Sequence, residues 1–238
     1  MTSAELAAAY PWPRGPWLRV AMARTLDGGI AGADGRSRSI SSDVDRLVLA
    51  EIRRLSDAIV TGATTVRLEP YGPMIARPDA ADERRELGLA PAPVIVVVSG
   101  SLDLPWDAPM FTASTQRPIV VTTSKSATDD RRRAQAVCDV VVVDDDRVQP
   151  AALVAALAER GLRRLVVEGG PGLVASLSAA DVVDEVDVTL SPMLGAMSVA
   201  TSPGSIVARF ELRHCLTEDG FLFTRYVNSR SAATAPSA

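Results

Sequence analysis

Short apolar runs alternate along this chain with stretches of helical period, and that alternation limits the fold more than any other feature. The runs are residues 17–25, 57–62, 93–99, 118–122, 139–143, 162–167 and 184–190. Their Val, Ile, Leu and Ala content suits strands buried on both faces. Between them lie segments that read as helices. Ser42 caps one over Asp43 to Leu55, with Leu47, Leu49, Ile52 and Leu55 as its apolar side. A short turn or helix follows Thr64, a polar helix follows Thr123-Ser124, and two more cover Pro150 to Arg160 and Gly172 to Ala180. This order predicts an α/β fold with a mostly parallel central sheet flanked by helices. At the end of the chain, residues 207–216 and 221–227 are joined by Asp219-Gly220 and read as an antiparallel hairpin at the sheet edge.

The 238 residues suit one domain, expected over residues 17–228. Residues 1–16, rich in Ala and Pro, read as an N-terminal arm outside the core, and residues 229–238 as a disordered tail. Residues 70–92 read as a long polar excursion with at most one exposed helical turn. The net charge of −4, with basic residues dispersed, argues against nucleic-acid binding. One histidine, His214, and two cysteines, Cys138 and Cys215, exclude a His-based metal centre or a disulfide framework. His214 reads as structural. No run reaches the roughly 18 apolar residues of a membrane span, and no signal pattern opens the chain, so the expectation is a cytoplasmic, soluble protein.

Ligands of parallel sheets bind at the carboxyl ends of strands. Four such ends are small, hydroxylated or glycine-rich: Thr25-Leu26-Asp27-Gly28, Thr61-Gly62-Ala63-Thr64-Thr65, Thr122-Thr123-Ser124 and Glu168-Gly169-Gly170. The last belongs to Leu165-Val166-Val167-Glu168-Gly169-Gly170-Pro171-Gly172-Leu173, a strand, tight turn and helix start. Such a turn brings backbone N–H groups to a phosphate at a helix N-terminus. It is equally a plain glycine turn. An acid ending a buried strand is costly to desolvate, which marks Glu168 as functional. Asp27 fits either an Asx-turn before Gly28 or a ligand contact. Arg53 fits either a ligand contact or pairing with neighbours on the Glu51 or Asp57 side, and Thr65 either a ligand contact or a helix cap.

Taken in order, these motifs resemble the riboflavin-biosynthesis reductase domain, the C-terminal half of the bifunctional deaminase-reductase, which has a dihydrofolate-reductase-like fold. Thr25-Leu26-Asp27-Gly28 with Ile30-Ala31 resembles its opening motif, and Ser37-Arg38-Ser39-Ile40-Ser41-Ser42 its next segment. Arg53, Asp57 to Arg67, Glu168-Gly169-Gly170-Pro171 and Val183-Asp184-Glu185 follow at similar spacing. The resemblance implies an oxidoreductase that uses NADPH to reduce the ribosylamino sugar of a pyrimidine 5′-phosphate. It implies cofactor contacts at Ala23, Ser39, Thr65, Glu69, Gly169, Gly170, Pro171, Gly172 and Leu173. It places Thr122, Thr123 and Ser124 beside the adenosine ribose and its 2′-phosphate, with Lys125 or Arg131 as charge partners. Ser37 and Arg53 would hold the substrate and its phosphate, and Glu168 and Asp27 would be the catalytic acids. It implies a cis peptide at Gly169-Gly170. It also implies a homodimer through edge strands, for which Phe210, Phe221, Phe223 and Tyr226 of the hairpin are suited; they suit a sheet edge equally well.

Three departures touch the substrate half of the site. Arg67-Leu68-Glu69-Pro70-Tyr71 stands where the family carries two adjacent acidic or amide residues, Ser39 replaces a tryptophan, and Gly29 replaces a basic residue. The zinc signature of the deaminase half is absent, which predicts a reductase acting without it. Two other readings stay open: a reductase of a pterin, dihydrofolate or another imine or carbonyl, and a catalytically silent nucleotide-binding protein.

Overall fold

The apolar runs become the strands of a single nine-stranded sheet in the computed structural model of the chain, which describes residues 1–144, 146–195 and 208–236. β1 (Trp17–Arg24), β2 (Ala58–Gly62), β3 (Val94–Val98), β4 (Ile119–Thr122), β5 (Asp139–Val142), β6 (Arg164–Val167) and β7 (Glu185–Leu190) are parallel. β8 (Phe210–Glu218) and β9 (Phe221–Asn228) form the hairpin, with β9 antiparallel to β7. Val207, expected to begin the hairpin, lies outside the described residues. The spatial order is β5-β4-β3-β2-β6-β1-β7-β9-β8. The chain leaves a gap between β1 and β2, and β6 fills it. The end of β6, and therefore Glu168, sits at the middle of the sheet with strand ends on both sides.

Helices cover both faces. α7 (Pro150–Ala158) and α8 (Pro171–Ala179) bury Leu153, Leu157 and Leu177 against Leu18, Val20, Val60 and Val167. On the other face α2 (Asp43–Arg54) buries Val48 and Ile52 against Ala21, Val166 and Phe223. Ser42 caps α2 by accepting the Asp45 amide at 3.1 Å, and acids in the first turn favour the positive end of the helix. The buried stripe runs through Val48 and Ile52, one turn apart. Leu47, expected to be part of it, is exposed because it lies on the flank of that stripe.

The N-terminal segment is not an arm outside the core. α1 (Ser3–Ala9) is closed by a capping box between Thr2 and Glu5, and Leu6, Ala9 and Tyr10 are buried with Val48, Ile52 and Phe223. The Ala-rich composition hides this, because only three large contacts carry it. The expected tail also packs back as far as it is described. Ser231 is buried and donates to Asp184 at 2.7 Å; residues 237–238 lie outside the described residues. In the polar excursion, α4 (Ala81–Glu86) is not wholly exposed. Arg84 is buried and donates to the carbonyls of Arg54, Ser56 and Ala90, closing the excursion onto the end of α2. Of the hairpin aromatics, Phe221 and Phe223 point into the core beside α2. His214 stacks edge-on to Tyr10 at 4.9 Å, a structural position. Among the described residues no helix is long and apolar enough to cross a membrane, and no His, Cys, Asp or Glu group could hold a metal ion.

Arg19, Glu185 and Arg225 are each fully buried. Glu185 faces Arg19 Nε at 2.8 Å and accepts from Arg225 at 3.1 Å and Trp17 Nε1 at 3.0 Å. Arg19 also lies over the Trp12 ring, 4.1 Å from its centroid. Ion pairs at the core of a sheet carry a high desolvation cost, which close geometry and additional hydrogen bonds offset.

Candidate active site

A cleft of about 770 Å3 opens at the carboxyl ends of β1, β2, β6 and β7, between α2, α3 (Ala63–Leu68) and α8. Its first wall is the glycine turn. β6 ends, Gly169 takes φ +125°, the Gly169-Gly170 peptide is cis, and α8 starts at Pro171. Pro at the first helical position removes a donor that would have no intrahelical partner. No side chain caps α8, so its first turn faces the cleft with backbone polarity alone. The turn is held close to its neighbours: the Gly62 amide donates to Gly169 O at 3.0 Å, and a Cβ on Gly170 would lie 3.0 Å from Thr65 Oγ1. Bare glycine here leaves room for a bulky anionic group against the backbone, as a dinucleotide pyrophosphate requires.

Charge lies directly beside the turn, on the residue that precedes it. Arg53, in the last turn of α2, donates through Nε and Nη2 to the two oxygens of Glu168, each at 2.5 Å. The Glu168 side chain is 5% exposed and that of Arg53 27%. Burial alone would lower the Arg53 pKa, but the Glu168 carboxylate outweighs it and raises it. Tyr71 donates to the same carboxylate at 3.5 Å. Burial first, then the Glu168 charge, raises the Tyr71 hydroxyl well above its usual range, so it stays a donor. Glu168 is thus a carboxylate held from behind by a planar fork, with its remaining acceptor capacity directed at the cleft.

The structure brings together Ala23, Ser37, Arg53, Thr65, Glu69, Glu168, Gly169, Gly170, Pro171 and Gly172, all of which line the cleft. Glu69 has a partner inside the protein, because its carboxylate accepts the Ser37 amide at 2.6 Å and ties that loop to the end of α3. Several expected contacts are not in the wall. Asp27 accepts from Thr25 Oγ1 at 2.5 Å and from the Gly195 amide at 3.1 Å. The Thr25 hydroxyl holds its carboxyl below the usual carboxylate range. Asp27 therefore serves the turn, where Gly28 takes φ +84°. Ser39 donates to Asp34 at 2.7 Å. Leu173 lies one position past the lining glycine. Thr122 and Thr123 are buried at the end of β4, two strands from β2, and only Ser124 beside them is exposed. Lys125 pairs with Asp146, and Arg131 turns onto the carbonyls of Ser124 and Ser126.

Other lining groups were not legible as site residues. Tyr71 lies in a proline-flanked loop with no periodic signal. Asp187 alternates with Glu185 on β7 and reads as strand polarity. Arg24, Arg38 and Arg46 make the mouth of the cleft basic, and Arg24 and Arg38 have no ion pair among the described residues.

Residues 16–220 match the model of the RibD C-terminal domain. The 2,5-diamino-6-ribosylamino-4(3H)-pyrimidinone 5′-phosphate reductase of Archaeoglobus fulgidus is 30% identical over 178 residues, covering 75% of this chain and 81% of that protein. The reductase of the same name from Methanothermobacter thermautotrophicus is 35% identical over 181 residues, covering 75% and 79%. The plant riboflavin-biosynthesis relatives are matched over only about a third of their length. Among solved structures, a pyrimidine reductase-like protein from Corynebacterium diphtheriae superposes with a TM-score of 0.78 at 25% identity, covering 90% of this chain and 92% of that one.

Proposed function

Because the chain belongs to the RibD C-terminal domain family, we propose that it is an NADPH-dependent reductase that converts the ribosylamino group of a pyrimidinone 5′-phosphate to a ribitylamino group. The observation that carries this reading is the meeting of two unlike groups side by side in one cleft: a backbone-only glycine turn, and the carboxylate just before it, anchored by Arg53 and Tyr71. The reductases named above from Archaeoglobus and Methanothermobacter act on such a pyrimidinone phosphate.

The residues present fit a nicotinamide dinucleotide. Gly169 to Gly172 and Thr65 would hold the pyrophosphate at the start of α8, and Ala23 leaves space beside it for a flat ring. Preference for NADPH over NADH would rest on Ser124 and Lys125 at the end of β4, since Thr122 and Thr123 are covered. When bound, the cofactor supplies the hydride. The chain supplies placement and electrostatics.

Arg53 is spent on Glu168, so the substrate phosphate falls to Arg24, Arg38 and Arg46 at the mouth, with Ser37 beside them. Glu168 accepts a hydrogen bond from the sugar or its amino link and holds the acceptor carbon in register. Arg53 fixes that carboxylate in orientation, so no reorganisation is needed as charge shifts. The test is turnover: oxidation of NADPH by the pyrimidine phosphate, compared with dihydrofolate and a pterin as acceptors and with NADH as donor. Faster turnover with dihydrofolate favours the second reading, and no turnover with any acceptor favours the silent binder.

A further inference from the structure

The cleft holds a second acid to which the mechanism above assigns no task. Asp187 is 3% exposed, lines the cleft, and among the described residues offers two carboxyl oxygens that meet no donor. A buried polar group left so is destabilising. No donor of the described residues reaches it, and the Glu185 carboxylate beside it can only accept its proton. Arg19 on β1 and Arg225 on β9 are both directed at Glu185, and so is Trp17 Nε1. Tyr10 lines the same floor, and His214 on β8 stacks behind Tyr10. Burial first, and then the Glu185 carboxylate, push the Asp187 carboxyl well above the usual carboxylate range, against the pull of Arg19 and Arg225.

A carboxyl that keeps its proton carries one O–H donor and one C=O acceptor side by side. The space before it suits a flat ring. Ala21 is its register partner on β1, too small to fill the floor, and Val48 and Ile52 of α2 close the cavity from above with apolar surface. Resting on the reading of the chain as a pyrimidinone reductase, we propose that Asp187 is a specificity-determining residue whose carboxyl pairs with the lactam edge of the bound heterocycle, an N–H beside a C=O. A 4(3H)-pyrimidinone presents that edge on the side of the ring opposite its sugar. The ring would enter with its lactam edge at the floor and its phosphate at the basic mouth.

The test uses the full chain loaded with NADP+, which cannot reduce the ligand, and three proteins: wild type, Asp187→Asn and Asp187→Leu. Calorimetry measures the binding of the pyrimidine 5′-phosphate and of 5-aminouracil, a fragment with the same edge but no sugar or phosphate; melting temperature and NADPH affinity are measured alongside. The Asn variant keeps a donor and an acceptor, so it should bind both ligands within about threefold of wild type. The Leu variant should weaken both by roughly tenfold or more, because a group built to pair is left facing hydrocarbon. Its NADPH affinity should be unchanged and its melting temperature equal or higher, since an unpaired buried acid has been removed.

A Leu variant that binds both ligands like wild type overturns the proposal and leaves the reductase reading intact. A Leu variant that melts lower, with ligand affinity unchanged once folded, shows a structural acid and also overturns it. Loss in the Asn variant equal to that in Leu overturns the lactam pairing. If wild type binds 5-aminouracil through Asp187 but not the pyrimidine phosphate, the reductase reading falls and the edge recognition stands. If wild type binds neither ligand, both fall.

Discussion

Arg53 and Glu168, 115 residues apart in the chain, meet as a planar fork on a carboxylate, with both N–H···O distances at 2.5 Å. Arg53 ends α2 and Glu168 ends β6, so the pair joins a surface helix to the central strand at the point where the sheet order reverses. Its two lines of force are parallel and its geometry is specific, which a lysine cannot reproduce.

Glu168→Gln keeps the shape and removes the charge. It should lower kcat by roughly tenfold to a hundredfold and leave NADPH affinity within about threefold, because the glycine turn is untouched. Arg53→Lys should lower kcat in the same direction through a misplaced carboxylate, with stability reduced by about 1–3 kcal/mol after allowance for the partial exposure of Arg53. Steady-state kinetics with cofactor titration separates the two effects. A Glu168→Gln variant with normal turnover at saturating NADPH and a large loss of cofactor affinity contradicts the assignment.

Gly170→Ala places a methyl group 3.0 Å from Thr65 Oγ1. Either the turn or Thr65 must yield, and the backbone surface offered to the pyrophosphate changes with it. NADPH affinity should fall by roughly tenfold, about 1.4 kcal/mol, with little change in affinity for the pyrimidine. Fluorescence titration of NADPH, with pyrimidine binding measured by calorimetry in the absence of cofactor, checks both statements.

Tyr71→Phe removes a donor to Glu168 at 3.5 Å, a long bond beside a much stronger fork. The expected effect is a twofold to fivefold fall in kcat, about 0.4–1 kcal/mol, the low side of a hydrogen bond to a carboxylate because the contact is long. A fall as large as that of Glu168→Gln would give Tyr71 a direct role in proton delivery instead.

Glu185→Gln removes the carboxylate that pairs Arg19 and Arg225 and leaves Asp187 as the acid beside them. The cost is bounded by the ~3–5 kcal/mol of an uncompensated buried charge, less what ionisation of Asp187 restores, and the melting temperature should fall. Replacing Arg19 and Glu185 together by apolar residues should cost less than Glu185→Gln alone. Denaturant unfolding of the three variants makes the comparison.

His214 gives the fold an acid limit. Burial first, then the charge of Arg225, lowers its pKa from 6.5 to about 4, so the folded chain holds the neutral ring and the unfolded chain takes up the proton more readily. Stability from this residue is complete above pH 6.5 and is lost as pH falls towards 4. His214→Phe keeps a ring against Tyr10 and should flatten unfolding free energy against pH in that window. An unchanged slope would show that other groups control it.

The sheet was legible because its signal is local and redundant. Each strand carries several apolar residues in a row, and an error of one residue at an end changes nothing. The Ser42 cap and the glycine turn were legible for the same reason: each is specified within four residues. The site was only half legible. The glycine turn and Glu168 announce themselves in nine consecutive residues, whereas the partner of Glu168 is chosen by the crossover that inserts β6 between β1 and β2. Sequence neighbours of Arg53 suggested pairing with Glu51 or Asp57. Glu51 instead pairs with Arg54, and Asp57 accepts the amides of Arg163 and Arg164. The packing of Leu6 and Tyr10 was missed because a few buried contacts in an alanine-rich segment carry no period. The Arg19–Glu185–Arg225 cluster and Asp187 were missed because alternating charge on a strand reads as a solvated face until β8 and β9 are placed beside it.

The central claim is that one cleft holds a reduced nicotinamide dinucleotide against the sugar of a pyrimidinone phosphate. It is tested most directly by mixing purified protein with NADPH and the ribosylamino pyrimidine 5′-phosphate, following loss of reduced-nicotinamide absorbance and identifying the product by mass. The account predicts one NADPH consumed for each ribitylamino product, a gain of two hydrogens, and much slower turnover with dihydrofolate. Tight NADPH binding with no reduction of the pyrimidine phosphate, or faster reduction of dihydrofolate, would contradict it.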